Sequence, residues 1–443
     1  MVGTTHTSPT DPPKGFFSRM SPAQSYRRLF TLTGPLYVAI AFVGRLPLAM
    51  SQIASLLAVT AATGSYGAGG ATAGALAVAN AVGAPIAGSL TDRFGQRMVL
   101  LIQSVVGAVG LAVLAVLTAT HTLGDPWWPL TVVAALGGSF IPQVGTMARV
   151  RWRPISRAAG SEDPRVMDAA FSYEGAADEA SFVLGPAVVG VIAALLNPMA
   201  ALAVAAVLLG IFATWFAVHP TGALVTPASL TGSGRTRLVT PALALLACVQ
   251  LSIGMVFGSV QTGTSVLATQ AGEPGLTGLL HGLLGVGSVI AGLMVVALPE
   301  SFAYPKRLRA FTAGMLLLAL PLLLVDSLLG LAVALLFLGV AIAPSMITTF
   351  TLVERSTPVQ RLGAAMTILA ATTGTGYAAG AALAGRLADI GGHRPALAVS
   401  VGATALACVL ALSGVRMLTR AALRPAQDPV TLSTAPGVAS STS

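Results

Sequence analysis

Charge is what this sequence most lacks: Asp, Glu, Lys and Arg make up only 9% of its 443 residues. Soluble domains carry roughly a quarter, and so few charges could not solvate the surface of a soluble chain of this length. Cysteine is nearly absent. Cys248 and Cys408 both sit inside apolar stretches with no metal-ligand spacing, which leaves them as small core residues. Alternation of period two is nowhere sustained, which argues against a membrane β-barrel. There is no P-loop, no metal-ligand cluster and no nucleophile with a His/Asp partner in reach. An ATP-driven pump or a membrane enzyme is therefore not expected, and neither is a bound cofactor. The first thirty or so residues are polar and proline-containing, without the short apolar core of a removable signal peptide.

What the sequence has is apolar runs. Hydrophobic residues make up 55% and the mean hydropathy is +0.83, in stretches near the ~20 residues that span a bilayer as helix. Read between charged or Pro/Gly punctuation, the spans are 36–60, 68–90, 98–119, 127–148, 169–195, 198–218, 241–267, 275–298, 308–325, 328–352, 362–385 and 395–416. The expectation is an all-α membrane protein of twelve transmembrane helices.

The net charge of +9 would point to nucleic acid in a soluble protein; here the positive residues fall between the apolar runs and orient the chain instead. With the N-terminus cytoplasmic, the inner segments hold Lys14, Arg19, Arg27 and Arg28, then Arg93 and Arg97, then Arg149, Arg151, Arg153, Arg157 and Arg165. Arg235, Arg237, Lys306, Arg307, Arg309, Arg355, Arg361, Arg416, Arg420 and Arg424 continue the pattern, and of 24 only Arg45, Arg386 and Arg394 depart from it. Both termini are expected inside. Heavy Ala, Gly and Arg use with only two lysines suggests a GC-rich bacterial genome, hence a bacterial plasma membrane.

A Pro/Gly-rich stretch at 219–240 divides the spans six and six. The division is a cytoplasmic tail 1–34, a first half 35–218, a cytoplasmic linker 219–240, a second half 241–417 and a disordered tail 418–443. The halves repeat weakly in parallel. Val82-Gly83-Ala84-Pro85-Ile86-Ala87-Gly88 matches Val286-Gly287-Ser288-Val289-Ile290-Ala291-Gly292, and Leu136, Gly137 and Pro142 match Leu338, Gly339 and Pro344. Parallel six-helix repeats belong to carriers whose halves rock about a midplane site.

At the end of the second span stands Gly88-Ser89-Leu90-Thr91-Asp92-Arg93-Phe94-Gly95-Gln96-Arg97. Gly88 permits close helix contact, Gly95 a tight turn, and Asp92 can pair with an arginine or cap a helix of the opposite half. The segment closely resembles the signature of the major facilitator superfamily, G-x-L-x-D-R-x-G-x-R/K, at every fixed position, and the helix count extends the resemblance over about 30–420. It implies two pseudo-symmetric six-helix halves, with Asp92 bracing a cytoplasmic gate. After the eighth span Val296 stands where a second such Asp would be, which puts a symmetric brace in doubt. Gly185-Pro186-Ala187-Val188-Val189-Gly190 partly resembles the family's antiporter motif, implying efflux by exchange. The family's usual arginine in the fourth helix is missing, with Ile141 in its place.

Charges inside the spans are few. Glu174, Asp178 and Glu179 lie in the fifth and Arg45 in the first, at similar depth by the ~1.5 Å rise per helical residue. A lone carboxylate there costs several kcal/mol unless it is paired, hydrated or protonated. Arg45 is expected to pair with Asp178 or Glu179, either as part of a proton cycle or as a fixed structural bridge. Gln52, Phe140, Phe257 and Gln261 are candidates to line a substrate cavity, with Pro47, Pro142 and Pro344 breaking helices around it. His281 reads as a satisfied helix contact, and the Gly391-Gly392-His393-Arg394 stretch as a turn. The expectation is a monomeric secondary transporter in the lipid bilayer, exporting small amphiphilic molecules against protons. A metabolite importer or facilitator, or a non-transporting receptor or scaffold, is the alternative.

Overall fold

The computed structural model describes residues 21–64, 66–122, 125–160, 164–226, 239–273, 276–299 and 301–422. Lys14 and Arg19 in the tail, Arg235 and Arg237 in the linker, and Arg424 lie outside the described residues.

Every regular element among the described residues is helical. The first rod kinks at Gly34 (φ 75°) ahead of Pro35, within α1 (Pro22–Val43), and is interrupted again at Gly44 and Arg45 before α2 (Leu46–Thr63). Then come α3 (Tyr66–Phe94) and α4 (Gln96–Thr120), a fourth rod split into α5 (Trp128–Ser139) and α6 (Val144–Ala158), and α7 (Pro164–Leu195). The sixth rod joins α8 (Pro198–Leu208), a π-helical turn at Leu209–Ala213 and α9 (Thr214–Val218). A 3₁₀ turn at Pro220–Leu224 follows, then α10 (Pro241–Gln270), α11 (Thr277–Met294), α12 (Tyr304–Ala319), α13 (Leu328–Ser356), α14 (Leu362–Gly391), α15 (His393–Ser413) and α16 (Val415–Ala422). Among the described residues, ten rods are long and apolar enough to cross a membrane. Short α12 and glycine- and threonine-rich α14 fall outside that measure but pack in the same bundle, α12 on α13 and α15, α14 on α10.

Local chemistry sets the ends. Ser21 and Gln24 form a capping box with Pro22 in the first turn, so helix begins well inside the expected tail 1–34. Asn197 and Ser327 accept the N–H of Ala200 and Gly330, starting α8 and α13. Gly64, at φ 67°, stops α2. Two further boundaries differ from expectation: residues 418–422 are helical in α16, and the start of the linker is the 3₁₀ turn. Gly392, at φ 76°, does form the turn between α14 and α15.

The prolines divide. Pro47 opens α2 just past a break and Pro142 sits in the gap between α5 and α6, whereas α13 runs unbroken through Pro344 and α7 through Pro186. At the Pro142 gap the Asn80 amide on α3 donates to the carbonyls of Gly138 (3.0 Å) and Ile141 (2.9 Å), and Gln143 donates to Asn80 (2.8 Å). A buried break thus finds partners for its backbone groups, as a membrane interior requires.

Two cores form. One consists of residues from Leu29 to Ala217; the other runs from Ala242 to Leu418 and takes in Val150 and Phe171 of the first half. Burial is lopsided along the rods. Val144–Trp152 and Ala341–Glu354 are almost wholly buried on every side, as are Leu362–Thr367, all toward the end carrying the arginines. Toward the other end α7 and α14 alternate with exposed positions such as Phe182, Gly190, Gly374 and Thr375. The two halves close on each other at the arginine-rich end.

Candidate functional site

α7 carries four acids, and their helical spacing decides their company. Glu174 and Asp178, one turn apart, face α2 and α6. The break at Gly44 places Arg45 at the head of α2, against them. Arg45 Nη2 forms an ion pair with Glu174 Oε2, and Nη1 lies 3.2 Å from both the Glu174 carbonyl and Asp178 Oδ1. Asp178 Oδ2 receives Arg149 of α6 at 2.7 Å, and Trp152 Nε1 donates to Glu174 Oε1 at 2.7 Å. Gly145 makes room, since a Cβ there would collide with Asp178. Two guanidinium and two carboxylate groups thus neutralise one another, with Asp178 20% exposed and the others nearly fully buried. Arg149 also lies over the Phe350 ring of α13 at 4.3 Å, which ties the network to the second half.

Glu179 is not part of this set. It lies about 100° round α7 from Asp178, is 5% exposed, and makes no hydrogen bond or ion pair among the described residues. One turn to either side, Gly175 meets Ile347 of α13 and Val183 meets Gly285 of α11. Glu179 therefore stands on the stripe that seams the two halves together. Of the two pairings considered for Arg45, the structure holds the one with Asp178, adds Glu174 and leaves Glu179 out.

Arg149 and Trp152 escaped the sequence reading because Arg149-Val150-Arg151-Trp152-Arg153 looks like a loop of orienting charges. The structure winds it into α6, with Arg149 2% exposed and Arg151 buried completely. The clue was the proline gap before it: a helix restarting at Val144 must run through these arginines to complete a span. Ile141 does occupy the arginine's place in the fourth helix, but the helix carries a buried arginine farther along.

The arginine-rich end is shut by ties between halves. Asp92 accepts the backbone N–H groups of Gly363 and Ala364, both at 2.9 Å, capping α14 from the opposite half. Gly88 lies so close to α14 that a Cβ would stand 2.8 Å from the Gly363 carbonyl. Gly95, at φ 86°, makes the turn into α4; Arg93 lies over Phe94 at 5.1 Å and Arg97 is exposed. Val296 offers no carboxylate, and among the described residues the acid on this side comes from α7. Asp168 accepts the Tyr304 hydroxyl at 2.5 Å, with Arg307 3.6 Å away, while Arg355 donates to the same hydroxyl at 2.9 Å. Arg153 pairs with Glu354 at 2.5 Å, and Tyr26 donates to the Leu293 carbonyl at 2.6 Å.

The other candidates scatter. Gln261 accepts the Tyr377 hydroxyl at 2.8 Å, joining α10 to α14. Gln52 is half-buried on α2, Phe257 packs on the second core, and Phe140 sits at the Pro142 gap. Gly185 presses on Ala49 of α2, Pro186 lies within α7, and Gly190 meets nothing within 4 Å. His281, expected to be satisfied, has no partner for Nδ1. At the opposite end Arg394 and His393 gather on Asp326, a cluster not foreseen. The Arg394 guanidinium holds the Asp326 carboxyl below the usual carboxylate range.

The sequence matches no curated protein. Among solved structures, the chain is similar to the proton:xylose symporter XylE bound to 6-bromo-6-deoxy-D-glucose (14% identity, 89% of this chain, 96% of that one, TM-score 0.67). It is also similar to the human organic anion transporter MFSD10 (17%, 84% and 98%, TM-score 0.62) and to a bacterial homologue of the iron transporter ferroportin in an outward-facing state (16%, 85% and 98%, TM-score 0.61). At such identities the likeness is one of fold. A model of the Major Facilitator Superfamily matches residues 37–369 and 303–438. The split helices, the glycine-lined seams and the Asp92 cap on α14 thus sit in a chain that belongs to the major facilitator superfamily of multi-pass membrane transporters.

Proposed function

We propose that this transporter exports small amphiphilic or drug-like molecules in exchange for protons, by alternating access. The observation that carries the reading is Glu179, a carboxylate without a partner beside an otherwise neutral charge network. A lone charge in the membrane interior costs several kcal/mol, and binding a proton removes that cost. Arginine placement supports setting the closed end in the cytoplasm, which makes this arrangement the outward-facing one, with Asp92 holding the gate. Each proton falling through 100 mV supplies ~2.3 kcal/mol, so one or two sustain a substantial substrate gradient. The site lies between the halves 35–218 and 241–417. The carrier works as a monomer in a bacterial plasma membrane, both termini inside, driven by the proton gradient without a cofactor.

The test is proton flux in proteoliposomes with a trapped pH dye, as cationic and neutral amphiphiles are added. Substrate-triggered proton movement in the wild type that vanishes in Glu179→Gln is the expected outcome. Substrate movement without protons in both proteins would leave a facilitator and overturn the coupling.

A further inference from the structure

α1 is built in two pieces. At Gly34 the backbone stands at φ 75° and ψ 158°, a region open essentially to glycine alone. A Cβ on Gly34 would meet nothing within 4 Å, so the glycine serves the backbone angles and not the space around it. Pro35 follows, and its ring keeps the residue before it out of helical geometry. Gly34-Pro35 thus sets residues 22–33 apart from the rest of α1, and the capping box on Ser21 gives this short piece its own start.

The piece has two sides. Ser25 and Leu29, one turn apart, are buried, Leu29 in the core of the first half. Arg27 and Arg28 are exposed, as suits a segment at the wet, positively charged end of the bundle. Tyr26 and Phe30, again one turn apart with ring centroids at 6.5 Å, reach to different halves. Phe30 meets Tyr173 of α7 edge-on at 5.6 Å, whereas the Tyr26 hydroxyl donates to the Leu293 carbonyl of α11 at 2.6 Å. Leu293 lies in the last turn of α11, where carbonyls run out of partners within the helix. α1 also touches the 3₁₀ turn Val295–Ala297 that follows α11. The piece therefore lies across the seam at the closed end, held to one half by packing and to the other by a hydrogen bond.

We infer that residues 22–33 are a strap that latches the closed end, with Tyr26 as the catch and Gly34 as the hinge. The inference rests on the alternating-access reading, in which this end opens during the cycle. The Asp168–Tyr304 and Arg153–Glu354 ties join long helices and separate only as the halves do. The strap differs, because a glycine joint stands behind it and lets it lift from α11 as a body. Release of the Leu293 carbonyl then precedes the parting of the halves. A neutral hydrogen bond of this kind shifts the closed-to-open ratio about fivefold.

The experiment measures two distances by spin labelling in the full chain with Cys248 and Cys408 replaced. Ala23 to Lys306 spans the strap and Met98 to Gln360 spans the gate, all at exposed positions. Tyr26→Phe removes only the hydroxyl; it should raise the long-distance population of both pairs about fivefold and leave Tm in detergent unchanged. Gly34→Ala, strained at this φ, should lengthen the strap pair through the hinge, and an unchanged pair overturns that role. Asp92→Ala, which uncaps α14, is the comparison. If it opens the Met98–Gln360 pair and Tyr26→Phe does not, the strap is no latch, whatever its own pair does. If none of the variants opens that pair, alternating access fails at this end and the strap falls with it.

Discussion

Arg149 and Asp178 lie 2.7 Å apart on neighbouring helices of one half, and Asp178 offers its other oxygen to Arg45. Removing one member of such a buried set strands the rest. Arg149→Met should lower stability by about 3–5 kcal/mol, read as a fall in Tm in detergent. Arg149→Met combined with Asp178→Leu should regain most of the loss, since a packed apolar pair needs no counter-charge. A double variant no better than the single would show that Arg149 acts through something other than Asp178.

Asp92→Ala takes two acceptors from the head of α14. A helix cap is worth about 1 kcal/mol, enough to shift the balance between closed and open gates about fivefold. Spin labels on Met98 and Gln360, both exposed, in a chain with Cys248 and Cys408 replaced, would report a longer distance population in the variant. An unchanged distribution would mean that the cap does not hold the halves together.

Gly88→Val should prevent the α3–α14 approach, because a Cβ already meets the Gly363 carbonyl at 2.8 Å. Overpacking of this kind costs about 1–3 kcal/mol. Gly74→Val is the control, as a Cβ there meets nothing within 4 Å. The two variants should differ in the same spin-label measurement, Gly88→Val populating the open gate and Gly74→Val matching wild type.

Asp326 gives the pH dependence at the opposite end. Its carboxyl is held below the ordinary range by the Arg394 hydrogen bond. A depressed carboxyl contributes stability that is present above its unfolded value near pH ~4 and fades as acid protonates it. Asp326→Asn should therefore lower Tm slightly at pH 7, less in high salt, and progressively less as the pH falls below ~4 through the carboxyl's depressed value. A difference that does not shrink as the pH falls below ~4 would place the effect outside this pair.

The rods and the division into halves could be read from the chain because apolar length and positive charge between spans are one-dimensional signals. The Asp92 contact was legible for a similar reason: Asp92 and its glycines are contiguous, and capping α14 was one of two roles open to it. The charge network was only half legible. Arg45 stood out as an isolated cation in an apolar run, but Arg149 hid among Arg151, Arg153 and Arg157, where a linear count cannot tell a helix interior from a loop. Asp168 and Tyr304 could not be matched at all, since nothing in sequence announces a meeting of residues so far apart. Pro344 misled because proline breaks a helix only where its freed carbonyl finds no other accommodation, and α13 runs straight through it.

The balance of the Arg45, Arg149, Glu174 and Asp178 set has an electrical consequence. Two cations and two anions locked together sum to zero, so moving them as one body through the membrane field carries no net charge. The voltage, worth ~2.3 kcal/mol per charge per 100 mV, acts on charges outside this set, which in the proposed cycle include the state of Glu179 and the charge of the cargo. Under the proposed exchange, the charge moved per cycle is then that of the cargo and of the proton, and a current measured across a range of voltages would count them.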